Sequence, residues 1–419
     1  MRLANVLSAI WMGLLIIVAT GEALSCGIDW RLPRSHFEGV DEQGHVLYCE
    51  KIGDLDVTKD LQIPIYIMFK SNWMADSPCL GKGWMLPLLE SRIEQTAERS
   101  YRIWQPNGWY RDFGYSKSSE TVLEGQGGWK AEIRGDTITA WAPCGWKLVF
   151  TKNKLMAIIA QNNQRLDLVS RNGQVDEVRA NGQCLLRVER DAMTGRVKGL
   201  ALRGGKRIAI EQQLRPRVQQ MGERNEVKGE DYSLAKITLA DGTVRIYEYG
   251  VDDQLRPTLK IEDRLIVWDP GTQLIVKDGE WIYDIKPDEK NPWANAAIGR
   301  KNASGQTEFW HYDGAQGREI TQTLDGIKTE KTWFTSGILA GKVRKIYQTL
   351  LGGSTTVVFS ASYDDKGRMI RETTADGRKR TCRYLDDGGK EKTYLSSNGY
   401  GRIYYYNNDG QLVASKGLK

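Results

Sequence analysis

Three histidines, six cysteines and 53 acidic residues are the side chains from which this 419-residue chain could build a reactive site. His36, His45 and His311 stand far apart, and no His-Glu-x-x-His sets two of them on one helix face. Cys26, Cys49, Cys79, Cys144, Cys184 and Cys382 contain no Cys-x-x-Cys pair. That argues against a zinc site, and their scatter leaves disulfide pairing open. There is no Gly-x-Ser-x-Gly elbow, and Gly81-Lys82-Gly83 is too short to cradle a phosphate and reads as a turn. Asp54, Asp56 and Asp60 lack the glycine and distal glutamate of a calcium loop. A glycosidase needs two carboxylates held about 5–9.5 Å apart. Glu90 and Asp112 lie in a suggestive region, but nothing in their spacing marks them as such a pair. The expectation is a protein that is not an enzyme and uses no metal or cofactor.

Tryptophan offers binding chemistry instead. Trp84, Trp104, Trp109, Trp129, Trp141 and Trp146 crowd into one stretch. Exposed rings stack on sugars, whereas buried rings fill a β core. Trp109-Tyr110 leaves an Asn107-Gly108 turn, so Trp104, Trp109, Tyr110 and Trp129 are the candidate glycan-binding residues. A core role is the competing reading.

The elements that would carry these residues read as strands. In the C-terminal region glycines recur at Gly367, Gly377, Gly388, Gly399 and Gly410, mostly in Asp-Gly or Asn-Gly pairs. Such pairs favour the positive φ of tight hairpin turns. A turn every ~11 residues leaves strands of about eight, a normal length for antiparallel sheet. Asn172-Gly173, Asn181-Gly182, Asp241-Gly242, Asp278-Gly279 and Asp325-Gly326 extend the pattern back to about residue 170. A longer unit of ~21 residues repeats as well. Its clearest copy begins Tyr363-Asp364 and continues to Gly367-Arg368. A second has Tyr312, Asp313, Gly317 and Arg318, and a third, Asp191 to Arg196, lacks the tyrosine.

The pattern Tyr-Asp-x-x-Gly-Arg followed by an apolar residue resembles the YD repeat of the Rhs family, to which teneurins are related. An upstream segment, residues 65–91, strengthens the likeness through Leu80-Gly81-Lys82-Gly83-Trp84, which is similar to the Rhs Leu-Gly-x-Gly-Trp motif. The resemblance covers roughly residues 60–419, with 205–300 fitting poorly. It implies an all-β fold, an array of antiparallel hairpins forming a large curved sheet or a partial YD shell or barrel. The family's Asp-Pro-x-Gly core signature is missing; Asp269-Pro270-Gly271 reads as a turn. Autoproteolysis and a toxin cargo are therefore not carried over.

The N-terminus reads as an export signal. Arg2 precedes an apolar run from Val6 to Thr20, and Ala23 and Ser25 fit a cleavage site before Cys26. The run is shorter than the ~20 apolar residues of a membrane span. Cys26 is also placed for lipidation, although Leu24 stands one position too late. The net charge of +6 comes from interspersed signs, which speaks against a nucleic-acid partner.

Three segments are expected: a signal peptide over 1–25, a Trp-rich β region over 26–150 and a hairpin array over 151–419. A surface helix is expected over 86–99, exposing Glu90, Arg92 and Glu94. Long loops are expected over 215–231 and 295–305. The functional expectation is an exported, non-catalytic structural protein, periplasmic, cell-surface or secreted. It would touch the membrane only through the signal or a Cys26 lipid. The alternatives are a glycan- or cell-surface-binding protein using the Trp-rich region, a component of a polymorphic-toxin delivery system, and a scaffold that engages another cell-envelope protein.

Overall fold

A computed structural model describes residues 37–419 except 59–60, 74–75, 99, 117–118, 120, 126–127, 144, 288–294, 314–315, 336–338, 340–341, 351–352, 386–388, 408–410 and 419. The signal, Cys26, Gly388 and Gly410 lie outside the described residues. The chain is all-β, 66% strand and 2% helix. From Ile93 onward most strands follow one another as an antiparallel meander, hydrogen-bonded to the next in sequence.

One turn accounts for most of the glycine period. In it, a residue's N–H donates to the carbonyl four positions on. The N–H of the residue at the third position donates back to its carbonyl. Asp364 donates to Arg368 at 2.9 Å, and Gly367 returns to Asp364 at 3.0 Å. The same closure holds at 239–243, 302–306, 350–354, 374–378 and 396–400. Its third residue needs positive φ, so glycine is favoured there; Gly367 has φ 73° and Gly399 86°. Asn172-Gly173 and Asn181-Gly182 differ: both residues of each pair have positive φ, which makes two-residue primed turns. Asp269-Pro270-Gly271 is a turn too. Asp269 Oδ1 accepts from Gly271 N and Thr272 N, as Asp191 Oδ1 accepts from Met193 N and Thr194 N.

The described residues divide into two compact units, 47–262, and 37–46 with 263–418. No break falls at residue 150, because Lys147–Thr151 pairs with Lys154–Ile159 as an ordinary hairpin. The first unit has an inner layer. Leu47–Thr58 pairs with Leu61–Lys70, which in turn pairs with Trp84–Met85. Leu61–Lys70 is buried on both faces: Ile63, Ile65, Ile67 and Phe69 project one way, Tyr66 and Met68 the other. An apolar side chain taken fully out of water contributes about 1.5–3 kcal/mol, so this strand is a main source of the unit's stability. In the second unit, most strands beyond Arg318 keep both faces partly open.

Three expectations are corrected. The 86–99 helix is a single turn, Pro87–Glu90, followed by the strand Ile93–Ala97. Ser91 leaves the helix in extended backbone, and Glu90 turns inward rather than to solvent. Residues 215–231 form no loop; they lie in the longest hairpin, Arg207–Met221 against Arg224–Thr238. Cross-strand hydrogen bonds hold that polar ribbon together without an apolar alternation to announce it. The 295–305 loop contains the strand Ala297–Lys301.

Candidate functional site

The Leu80–Trp84 motif acts as a clasp. Gly81 pairs with Ser233 across the long hairpin at φ 87°, and a Cβ there would lie 2.3 Å from the Tyr232 carbonyl oxygen. Gly83 has φ 82°, and its Cβ would meet the Phe69 ring at 2.6 Å. Only glycine meets both demands, positive φ and close approach. Between them, the Lys82 carbonyl accepts from Ser233 Oγ at 3.1 Å and from Arg215 Nη2 at 3.2 Å. Leu80 and Trp84 are both fully buried. The Trp84 ring packs on Tyr247 at 4.9 Å and Phe69 at 5.3 Å. Its Nε1–H donates to the Tyr249 hydroxyl, which donates to the Leu234 carbonyl, both at 2.6 Å. Burial pushes the Tyr249 phenol up to about 12, so it stays a neutral donor.

Beside the clasp lies a polar centre that local sequence patterns do not announce. Glu90 Oε1 accepts from Ser77 Oγ at 2.7 Å, and Oε2 accepts from Leu86 N at 2.6 Å. Burial pushes the Glu90 carboxyl up to about 7, against the pull of these two donors and of Arg92 and Arg190. Burial, and then Glu90, also raise the Cys79 thiol. A carboxyl that titrates near neutrality beside a hydroxyl and a thiol has the pKa of a general base. The geometry spends it otherwise. Ser77 Oγ accepts the Cys79 and Leu80 N–H groups while donating to Glu90, so it closes a turn. Ser77 is 3% exposed and Cys79 1%, leaving the candidate nucleophiles no surface for a substrate.

A second network joins residues nearly 200 positions apart. Glu50 accepts from Tyr48 at 2.6 Å, and from Tyr247 and Arg245 at 2.9 Å each. It pins the inner hairpin to the meander. This network has no spacing signature, because Glu50 meets Arg245 and Tyr247 only after the sheet is wound.

The candidate aromatic platform separates. Trp104 is 8% exposed and Trp129 3%, so neither offers a free ring face. Trp104 packs between Trp73 and Tyr110, each at 5.1 Å, beside Met68 and Met85. Trp109 and Tyr110 are half-buried, and Arg102 covers the Tyr110 ring at 3.9 Å. The repeat residues serve the turns and their neighbours. Asp364 accepts from Lys366 N and Arg368 N, and Arg368 Nε closes on it at 2.8 Å. Tyr363 donates to the Val343 carbonyl at 2.9 Å. The Tyr312 ring meets Trp333 at 5.6 Å, Asp313 accepts from Gln316 N, and Arg318 pairs with Glu330. Gly317 and Gly377 adopt φ 60° and 80°. Among the described residues no group of three or more His, Cys, Asp or Glu is placed to hold a metal.

No family model matches the chain, and no curated protein matches it. Among solved structures it is weakly similar to TcdB2-TccC3. Two TcdB2-TccC3 structures give TM-scores of 0.32 and 0.34 at 10% identity, covering 86% and 97% of this chain. The chain spans about a quarter of the length of TcdB2-TccC3, 22% and 24% in these two cases. The TCP10 domain of Danio rerio CPAP, in complex with a STIL peptide, gives a TM-score of 0.13 at 16% identity, covering 67% of this chain and 99% of that one.

One repeat went unread in the sequence. Asp252 accepts from Gln254 N, Arg256 N and Arg256 Nε, the pattern seen around Asp364. Leu255 stands where Gly367 does, at φ 54°. Its signal was the Asp-x-x-x-Arg spacing, hidden because the glycine is missing.

Proposed function

We propose that the chain is an exported, non-catalytic scaffold of Rhs-like YD-repeat type. One observation carries this reading: the side chains most able to do chemistry are spent on holding the sheet. Asp364 and Asp252 are used up by their own turn N–H groups and arginines. Ser77 and Glu90 are used up by each other and by backbone N–H groups. A reactive group saturated with internal partners lacks the free lone pair or proton that general acid–base work requires. Export rests on the signal-like residues 1–25 of the sequence.

The test is turnover by the purified full chain on peptide, ester and glycoside panels, with Glu90→Gln beside it. No turnover above buffer is expected from either protein. Turnover by the wild type that disappears in Glu90→Gln would overturn the reading.

A further inference from the structure

Three strands of the second unit, Lys379–Tyr384, Lys390–Leu395 and Gly401–Tyr406, form a grid of tyrosines and cations. The register places Tyr384, Lys390 and Tyr406 in one row. The next row holds Cys382, Lys392 and Tyr404, and the third Arg380, Tyr394 and Arg402. Residues opposed across an antiparallel ladder project from one face, about 5 Å apart across strands and ~7 Å apart between these rows. Contacts agree with this placement. Lys392 lies 5.0 Å and Lys390 5.7 Å from the Tyr406 ring centre, and Tyr394 meets Tyr404 edge-on at 5.6 Å. Arg368 covers Tyr384 at 4.0 Å. Tyr394 is 38% exposed and Arg402 is exposed, so the face is most open at this row, while Lys390, Lys392 and the other tyrosines are half-buried.

Charge says what kind of ligand suits it. From Arg318 onward the chain carries 18 Lys and Arg against 11 Asp and Glu, so the excess of 59 over 53 in the whole sequence is concentrated here. The acid in register with the grid, Glu372, is taken by Arg380. Arg380 is thereby neutralised, and Lys390, Lys392 and Arg402 are the cations of the grid that an anionic ligand would meet. The rings are covered by the chain's own cations or meet each other edge-on, which denies nucleobases the free platforms on which they stack. What remains is an array of ammonium and guanidinium groups with the hydroxyls of Tyr394, Tyr404 and Tyr406 between them, the Tyr384 hydroxyl donating to the Met369 carbonyl at 3.3 Å. A sugar polymer with a carboxylate on each ring would fit both, its carboxylates on the cations and its hydroxyls on the phenols.

We infer that this face binds an anionic polysaccharide of the uronic-acid type. The inference goes beyond the scaffold reading and does not depend on it. The opposite face supplies the control. Arg371, Lys379 and Arg383 give it three cations, Glu391 stands in register with Arg383, and Tyr405 is its one tyrosine in these three strands.

The experiment measures binding of the full chain to polygalacturonate, with neutral dextran and a single-stranded oligonucleotide of matched charge as comparators. Wild type binds polygalacturonate and not dextran. The triple variant Lys390→Gln, Lys392→Gln, Arg402→Gln weakens binding by about tenfold or more, whereas Arg371→Gln, Lys379→Gln, Arg383→Gln weakens it by no more than about threefold. Should the first triple variant lose the wild-type melting temperature, the comparison is Arg402→Gln, expected to weaken binding about threefold, against Arg371→Gln, expected to leave it unchanged. Equal losses from the two faces, no binding by wild type, or tighter binding of the oligonucleotide would each overturn the inference.

Discussion

At the scale of single residues, Glu90 is the most perturbed acid of the clasp region. Its carboxyl ordinarily titrates near 4.5 and here is pushed up to about 7. The folded state thus binds this proton more tightly than the unfolded chain. Its contribution to stability is complete below about pH 4.5 and is lost as pH rises through about 7, an effect on the order of 3–4 kcal/mol at most. Chemical denaturation of wild type between pH 5 and 8 should show that decline, and Glu90→Gln should flatten it. Parallel pH profiles would show that Glu90 is hydrated and does not sit in the dry clasp. The tryptophans teach the same lesson about environment. Their crowding was legible in the sequence, but whether a ring faces sugar or core depends on neighbours such as Met68 and Met85.

At the scale of elements, the hairpin turn is the unit that repeats. Leu255 occupies its positive-φ position at 41% exposure, so it bears the left-handed penalty without much compensating burial. Leu255→Gly should raise stability by roughly 0.5–1 kcal/mol, read as a higher urea midpoint at unchanged slope. A lower midpoint would mean that the leucine side chain, not the turn, holds that corner. Strand class and the turns at Gly377 and Gly399 were legible because Asp-Gly and Asn-Gly carry a local backbone preference. The 207–238 hairpin was not. Its distal strands are polar on both faces, so no period distinguishes them from a loop. The Pro87–Glu90 turn was over-read as a long helix for the opposite reason. Its neighbours favour helix locally, and pairing of Ile93–Ala97 with Ser100–Trp104 overrides them.

At the scale of the molecule, the first unit is built around a strand buried from Ile65 to Phe69, and the clasp closes on it. Leu80–Trp84 was legible as a motif, whereas its purpose was not. Gly81 answers to Ser233, Trp84 to Tyr249 and Glu50 to Tyr247, partners 150 or more positions away. Such contacts leave no trace in spacing. The central claim is that the Leu80–Trp84 clasp holds the inner layer of the first unit together. Amide hydrogen exchange of Gly81→Ala against wild type tests it most directly. Gly417→Ala serves as the control, because a methyl there would meet nothing within 4 Å. If the clasp holds the inner layer, Gly81→Ala speeds exchange across residues 61–70 and 231–234 by about tenfold or more, and Gly417→Ala leaves those peptides unchanged. Wild-type protection of residues 61–70 in Gly81→Ala would contradict it.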